Sequence, residues 1–285
     1  MDARQVEEVV LGALREDLGR GDVTGEALAE PGRVAVGFFL AKQPGVLAGL
    51  RVAETAFRLL DASIRLDAAA RDGDRLQPGR RFATVRGAAR ALLAGERVAL
   101  NFLQRLSGVA TATRRAVEQA AGTGARILDT RKTAPLLRAF DKYAVRVGGG
   151  HNHRSGLDDG LLIKDNHIVL AGGVTAALRA ARAAAPHLLR VEVEVKNLSE
   201  LEEALAEGAE VILLDNMTTD EVRAAVRRVA GGARLEVSGG VTPETVRAYA
   251  ETGVDYISLG ALTHSVQAVD ISFELEEAKI SVARP

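Results

Sequence analysis

The sequence contains no cysteine, which excludes disulfides, thiolate metal sites and cysteine nucleophiles. No apolar run approaches the roughly 20 residues that a bilayer-spanning helix requires. Residues 1–17 are amphipathic and carry acidic side chains, unlike signal or transit peptides. A formal net charge of -1 argues against a general binder of nucleic acid or membranes, because such proteins carry an excess of Lys and Arg. We therefore expect a cytoplasmic protein with neither nucleic-acid nor membrane partners.

One segment departs from this neutral balance by concentrating positive charge. Residues 128–156, LDTRKTAPLLRAFDKYAVRVGGGHNHRSG, contain six arginines and lysines but only two acidic residues, Asp129 and Asp141. Cations that are buried together without partners cost several kcal/mol each. Either solvent screens these side chains or an anionic ligand completes a site. A cluster this local suits a small anion better than a polymer.

The second half of the chain alternates short apolar runs with helical patterns, which predicts βα units around a parallel sheet. No GxGxxG motif opens a βαβ unit, so a dinucleotide-binding sheet lacks its fingerprint. A closed or nearly closed α/β barrel is the favoured architecture. Seven candidate strands are expected, at residues 125–130, 144–149, 160–165, 190–195, 210–215, 234–240 and 255–261.

The first hundred residues show a different, α+β pattern and predict a separate domain. We expect this domain to span residues 1–108 and the barrel to span 109–267. Residues 271–283 alternate like a strand, so the segment 268–285 is expected to rejoin the first domain. The predicted elements of the first domain are helices at 4–15 and 49–60, strands at 33–41 and 82–87, and a helix starting at 94.

Polar residues follow nearly every predicted strand of the barrel. In α/β barrels the chemistry lies at the C-terminal ends of the strands, so these residues are expected to share one rim. A single strand can end in polar residues for no functional reason, but the explanation weakens over seven strands. The strand ends are occupied by residues 129–132, 151–154, 164–167, 194–196, 215–216, 238–240 and 260.

Acidic and glycine-rich strand ends predict different contacts. Glu192 and Glu194 alternate with valines and so share one face of their strand. Glu194 and Asp215, which lies on the next strand, are predicted to form a carboxylate pair that binds Mg²⁺ or ribose hydroxyls. The alternative is that Glu194 forms a salt bridge to Lys164 or Lys196. Glycine turns in the segments 238–240 and 260 expose backbone N–H groups that can hold a phosphate.

The histidines give weaker signals. His151 and His153 do not predict zinc, because no third ligand stands at a suggestive spacing and cations surround them. His264 follows the last glycine turn, and its side chain is equally expected to line a binding site or to pack against the rest of the protein.

Taken in order, the motifs resemble one enzyme family. GERVALN, LSGVAT, DTRKT, KYAVRVGGGHNHR, LLIKDNH, EVEV, LLDN and SGGV, with EDLGRGDVT near the start, are similar to the quinolinate phosphoribosyltransferases. The resemblance covers nearly the whole chain. It implies an incomplete α/β (TIM-like) barrel with an N-terminal α+β sandwich domain, assembled as a homodimer or a higher homo-oligomer.

The resemblance also implies the reaction. The family transfers the phosphoribosyl group of 5-phosphoribosyl 1-pyrophosphate (PRPP) to quinolinate, with Mg²⁺ as the cofactor. Pyrophosphate and CO₂ leave, and nicotinate mononucleotide is formed for NAD synthesis. Two alternatives stay open: a related transferase with another aromatic acceptor, and a non-catalytic barrel that only binds anions.

Site roles follow from the resemblance, residue by residue. Quinolinate, a pyridine with two adjacent carboxylates, is expected to bind Arg131, His153, Arg154 and Lys164. Arg97 is expected to reach the site from the neighbouring subunit. Lys132, Glu194 and Asp215 are the expected catalytic residues. Lys132 is expected to face the phosphoribosyl substrate, and the two acids to contact the ribose hydroxyls or Mg²⁺ and stabilise positive charge as the bond to pyrophosphate loosens. The remaining predicted substrate contacts are Thr130, Ser238, Gly239, Gly240, Gly260 and His264.

Overall fold

The computed structural model describes residues 1–277, which form two compact units. The first unit comprises residues 1–111, residues 139–148 and the described residues from 266 onward. The second comprises residues 112–138 and 149–265. None of the helices in residues 1–277 is both long and apolar enough to cross a membrane.

The elements are numbered in chain order. The first part of the chain forms α1 (Ala3–Leu18), α2 (Val23–Leu28), β1 (Val34–Ala41), β2 (Gly45–Val46), α3 (Leu50–Arg58), β3 (Arg65–Ala68), β4 (Arg75–Leu76), β5 (Arg81–Ala88) and α4 (Ala89–Gln119). The remainder forms β6 (Arg126–Leu128), α5 (Arg138–Val147), β7 (Leu161–Ile163), α6 (Asp165–Ala171), α7 (Val174–Ala184), β8 (Val191–Val195), α8 (Leu198–Ala206), β9 (Val211–Asp215), α9 (Thr219–Val229), β10 (Arg234–Ser238), α10 (Val246–Ala250), β11 (Tyr256–Ser258), α11 (Ala261–His264) and β12 (Ile271–Glu277).

The first unit is organised around an antiparallel sheet with the strand order β12-β1-β5-β3. Its core is aromatic: the ring of Phe39 lies 4.9 Å from that of Phe273, 5.9 Å from Phe82 and 6.2 Å from Phe57 on α3. The predicted strand at 271–283 is present as β12, which pairs with β1, and its remaining residues lie outside the described part of the chain.

The predicted strand at 144–149 is wrong, because most of this segment belongs to helix α5. The buried residues Phe140, Asp141, Ala144 and Val145 recur at helical rather than alternating spacing. Helix α5 belongs to the first unit, where Asp141 accepts two hydrogen bonds from the guanidinium of Arg105, at 3.0 and 2.9 Å. The apolar run was too short to reveal the period by itself.

The second unit contains a six-stranded parallel sheet with the order β6-β11-β10-β9-β8-β7. His151 forms a single parallel bridge with Leu128 on the other side of β6 and so occupies a seventh position. Among the described residues no ladder joins His151 to β7, which leaves the barrel incomplete. The predicted α/β class, a parallel sheet with helices and a separate N-terminal sheet, is confirmed.

The strand register decides which side chains share the barrel's inner face. Glu194 of β8 and Glu236 of β10 both pair with Leu213 of the intervening strand β9. Ser238 pairs with Asp215 two residues further along. Since side chains alternate between faces, these residues lie on one face, and the parallel strands deliver their C-terminal residues to one edge.

We predict that Gly37→Ala destabilises the first unit by about 1–3 kcal/mol, because a Cβ at Gly37 would overlap the ring of Phe273. Gly12→Ala, on α1, is the matched control. Its Cβ would meet no atom within 4 Å, and alanine favours the helix by about 0.5–1 kcal/mol. Thermal unfolding monitored by circular dichroism compares them. Equal melting temperatures for the two variants would contradict the packing described for Phe273.

Candidate active site

A buried carboxylate organises the end of β6. Asp129 is fully buried and accepts hydrogen bonds from the backbone N–H of His153 at 2.8 Å and from Nδ2 of Asn152 at 2.6 Å. Together with the bridge between Leu128 and His151, these bonds hold residues 151–153 next to β6. Residues 151–153 are therefore held by a single backbone bridge and by the carboxylate of Asp129, in place of a regular strand.

Two arginines at this edge carry poorly compensated charge. Nε of Arg131 is buried and has no hydrogen-bond partner within residues 1–277. The guanidinium of Arg154 donates to the carbonyl of Gly160 at 3.1 Å. Burial and the nearby charge of Arg131 lower the pKa of Arg154 below its ordinary value. An anion bound here would satisfy the free donor and relieve the repulsion.

Lys164 and Glu194 form a salt bridge, with 3.1 Å between Nζ and Oε2. Glu194 is buried, whereas 47% of the Lys164 side chain is exposed. The salt-bridge alternative for Glu194 is thus observed in the structure described here. Lys196 pairs instead with Asp165, also at 3.1 Å. One carboxylate oxygen of Glu194 is therefore paired with the half-exposed ammonium group of Lys164.

The ends of β9 and β10 meet through a close contact that requires glycine. Asn216 has a φ of 55° and donates from Nδ2 to Asp215 Oδ2 at 2.8 Å. A Cβ at Gly239 would collide with the side chain of Asn216 and lie 2.9 Å from Asp215 Oδ1. Gly239 and Gly240 have φ values of 80° and 66°, where glycine is favoured. The SGG segment thus turns directly beside Asp215.

Gly260 brings two predicted site residues together. A Cβ at this position would lie 3.0 Å from Lys132 Cδ and 3.0 Å from His264 Cδ2. Two hydrogen bonds fix the backbone of Lys132. Its N–H donates to Thr130 Oγ1 at 3.0 Å, and its carbonyl oxygen accepts from Thr263 Oγ1 at 2.8 Å. Lys132 and His264 are both exposed and therefore accessible to a ligand.

Arg97 stands apart from the other predicted site residues. It is an exposed residue of α4 in the first unit, whereas all the others lie in the second unit. The strand-end residues of the second unit are brought together as β6 to β11 end at one edge.

Sequence reasoning missed one buried acid that lies close to His153, Glu236. His153 Nε2 lies 3.1 Å from Glu192 Oε2 and 3.6 Å from Glu236 Oε1. Each of these three residues offers one atom of a type that can bind a metal ion, and these atoms lie within 4.8 Å of one another. Glu236 is 2% exposed and alternates with Leu235 and Val237, the same pattern that singled out Glu194. That alternation is the signal by which it could have been found.

Burial, followed by the negative charge of Glu192, raises the pKa of Glu236 to about 8, although His153 acts in the opposite direction. Near neutral pH Glu236 is therefore mostly protonated. The interior of the barrel thereby avoids a second uncompensated negative charge.

Comparisons with known proteins show the family of this chain. Residues 109–274 match the family model described as quinolinate phosphoribosyl transferase, C-terminal domain, and residues 22–107 match its N-terminal domain. A probable nicotinate-nucleotide pyrophosphorylase [carboxylating] of Bacillus subtilis is 44% identical over 282 residues, which cover 99% of this chain and 97% of the relative. The Mycobacterium leprae nicotinate-nucleotide pyrophosphorylase [carboxylating] is 49% identical, covering 92% and 94%.

Solved structures give the same result. The crystal structure of NadC from Streptococcus pyogenes superposes with a TM-score of 0.94 at 42% identity and covers 98% of this chain and 99% of that one. The nicotinate-nucleotide pyrophosphorylase of Francisella tularensis gives a TM-score of 0.92 at 37% identity, with coverage of 97% and 98%. The chain therefore belongs to the quinolinate phosphoribosyl transferase family.

Proposed function

We propose that the C-terminal edge of the parallel strands carries out phosphoribosyl transfer from PRPP to quinolinate. Pyrophosphate and CO₂ leave, and the product is nicotinate mononucleotide for NAD synthesis. The observation that carries this proposal is the buried Nε of Arg131, which has no acceptor among the described residues and whose charge interacts with that of Arg154. The two adjacent carboxylates of quinolinate match such forked guanidinium donors.

The quinolinate subsite is assigned to Arg131, Arg154 and Lys164 as cationic contacts and to His153, whose two ring nitrogens are engaged by the protein, as a residue that lines the subsite. The ion pair between Lys164 and Glu194 supports this assignment, because a half-exposed ammonium group can exchange one carboxylate partner for another at little cost. Arg131 and Arg154 are better suited to hold the acceptor in one orientation, since their planar groups bind carboxylates through two parallel hydrogen bonds.

The phosphoribosyl subsite is assigned to the glycine turns and the residues around them. Gly239 and Gly240 have left-handed backbone conformations, and Gly260 lies against the side chain of Lys132. Since glycine lets a ligand approach the backbone closely, these turns favour contact with the 5-phosphate. Lys132 supplies positive charge next to Gly260. The other assigned contacts are Thr130, Ser238 and His264.

Glu194 and Asp215 are the proposed contacts to the ribose hydroxyls and to Mg²⁺. The register between β8 and β9 supports a shared role, because it places both acids on one face. Two carboxylates fit Mg²⁺, which is usually held by one or two acids together with water and substrate phosphates. When bound, the ion supplies positive charge next to the pyrophosphate.

The chemistry requires no covalent nucleophile from the protein, because the pyridine nitrogen attacks C1 of the ribose. The residues of this chain position the two substrates, and Glu194 and Asp215 stabilise the positive charge that develops at C1 as the bond to pyrophosphate loosens. The alkylated ring nitrogen is cationic and accepts the electrons left by the departing carboxylate. Loss of CO₂ is favoured by the exclusion of bulk water, and C2 of the ring then takes up one proton from solvent to give nicotinate mononucleotide; we assign no side-chain acid to this protonation.

The active assembly is proposed to be a homodimer or a higher homo-oligomer located in the cytoplasm. Arg97 of one subunit reaches the quinolinate subsite of its neighbour. The exposure of Arg97 on a helix of the first unit supports this assignment, because no residue within 1–277 of its own chain buries it.

We predict that Arg131→Lys lowers kcat/KM for quinolinate by about 100-fold and leaves KM for PRPP nearly unchanged. Lysine keeps the charge but cannot form two parallel hydrogen bonds with a carboxylate. Pyrophosphate release at varied concentrations of each substrate measures both values. Arg223→Lys is the control, because Arg223 forms only a surface ion pair with Asp220 on α9. An unchanged KM for quinolinate in the Arg131 variant would remove this residue from the subsite.

The wild-type protein should turn over quinolinic acid far better than nicotinic acid, because nicotinic acid lacks one of the two carboxylates that the cations are expected to hold. Pyrophosphate and CO₂ are measured together with each acceptor. Comparable turnover of both acids would favour the alternative of a transferase for another aromatic acceptor, and no pyrophosphate release would favour an anion-binding barrel. If the loss of one side chain stops the release of CO₂ but not of pyrophosphate, that side chain assists decarboxylation, and our proposal that no residue is dedicated to this step is wrong.

Arg97→Ala and Lys132→Ala should each abolish activity, and mixed dimers of the two variants should regain part of it. In such dimers one of the two sites carries both native residues. Differently tagged subunits allow mixed dimers to be purified before assay. If purified mixed dimers stay inactive, Arg97 serves its own subunit or none.

A further inference from the structure

A buried cluster lies beneath the proposed quinolinate subsite. Glu192 on β8 and Glu236 on β10 face the interior of the barrel, and His153 approaches both through Nε2. Glu192 Oε1 and Glu236 Oε1 are buried and have no hydrogen-bond partner among the described residues. Two acids and an imidazole in such surroundings form either a cation site or a hydrogen-bonded support.

The hydrogen bonds of the imidazole decide between these possibilities. His153 Nδ1 accepts the backbone N–H of Arg154 at 2.7 Å, so this nitrogen carries no proton. A neutral ring must then be protonated at Nε2, which donates to Glu192 Oε2 at 3.1 Å. A protonated nitrogen has no lone pair for a metal ion. The cluster is therefore a hydrogen-bonded support.

We propose that Glu192 is a positioning residue of the quinolinate subsite, which fixes the ring of His153 and, through that ring, the backbone of Arg154. This proposal rests on the proposed function, because it assumes that Arg154 binds quinolinate. The chain of contacts runs from the Glu192 carboxylate to His153 Nε2–H, and from His153 Nδ1 to the N–H of Arg154.

Glu236 completes the cluster in a different way. It lies 3.6 Å from His153 Nε2, beyond hydrogen-bond reach, and its raised pKa keeps it mostly neutral. With Glu236 neutral, Glu192 is the acid that carries negative charge next to Nε2 of the ring. That charge also acts on Arg154, where it opposes the lowering of the pKa by burial and by Arg131. The two acids are therefore not equivalent, and their amide variants should behave differently.

The expected defect is specific to one substrate. A displacement of about 1 Å in a positioning group can cost on the order of 100-fold in rate. Glu192→Leu removes the acceptor of Nε2–H and should raise KM for quinolinate by about tenfold or more, while KM for PRPP changes by less than about twofold. Glu192→Gln retains an acceptor oxygen and should recover part of the loss. Glu236→Gln resembles the neutral acid and should stay near wild type.

Steady-state kinetics of these variants test the proposal, with Glu202→Gln as control, because Glu202 forms only an exposed ion pair with Arg228. Folding of each variant is verified by thermal unfolding. The proposal fails if folded Glu192→Leu keeps the wild-type KM for quinolinate. It also fails if the KM values of both substrates rise together, which would indicate a merely structural role.

A second measurement is made on the wild-type protein and needs no activity. Nitrogen-15 NMR of the histidine rings in the wild-type protein, with His153 assigned by His153→Gln, reports which ring nitrogen carries the proton. We expect Nε2 to be protonated and Nδ1 to be unprotonated. The opposite tautomer, or Zn²⁺ bound by the wild-type protein and lost in Glu236→Gln, would overturn the proposal.

The two levels of inference fail separately. If the wild-type protein releases no pyrophosphate from PRPP and quinolinate, the proposed function is wrong, whatever the tautomer of His153. If the wild-type protein is active and Glu192→Leu behaves like Glu202→Gln, only the positioning role of Glu192 is wrong.

Discussion

Charge that is withdrawn from water must find a partner, and this constraint governs the interior of the second unit. Asp129 holds the histidine segment through backbone and side-chain donors, and Glu192 holds the ring of His153. Glu236 avoids the cost of ionisation by staying protonated. The buried Nε of Arg131 has no hydrogen-bond partner within residues 1–277, which supports the proposal that it binds a carboxylate of the substrate.

Much of the fold could be predicted from the sequence, because strands of a parallel sheet read as continuous apolar runs. The segments 190–195, 210–215 and 234–240 appear as β8, β9 and β10. The segment 144–149 did not, because six residues with apolar positions cannot distinguish a strand from the end of a helix. Its helical period becomes visible only when Phe140 and Asp141 are included.

The site could be predicted only in part. Polar residues at strand ends predicted Arg131, Lys164 and Asp215 as candidates for the site, since parallel strands bring their C-terminal residues to one edge. A sequence pattern does not give the distances between these side chains, so their contacts could not be predicted. The proton on His153 Nε2 follows from a single backbone N–H, that of Arg154, which becomes a neighbour of Nδ1 only in the folded chain. Family resemblance supplied the substrates but not this support.

The central claim is that a carboxylate ligand completes the cationic strand ends. Diffraction from crystals grown with quinolinate tests it most directly. The account predicts a carboxylate oxygen within about 3.2 Å of Arg131 Nε, with the second carboxylate near Arg154 or Lys164. Quinolinate bound away from these residues, or Arg131 Nε bonded to an acceptor of the protein itself, would contradict it.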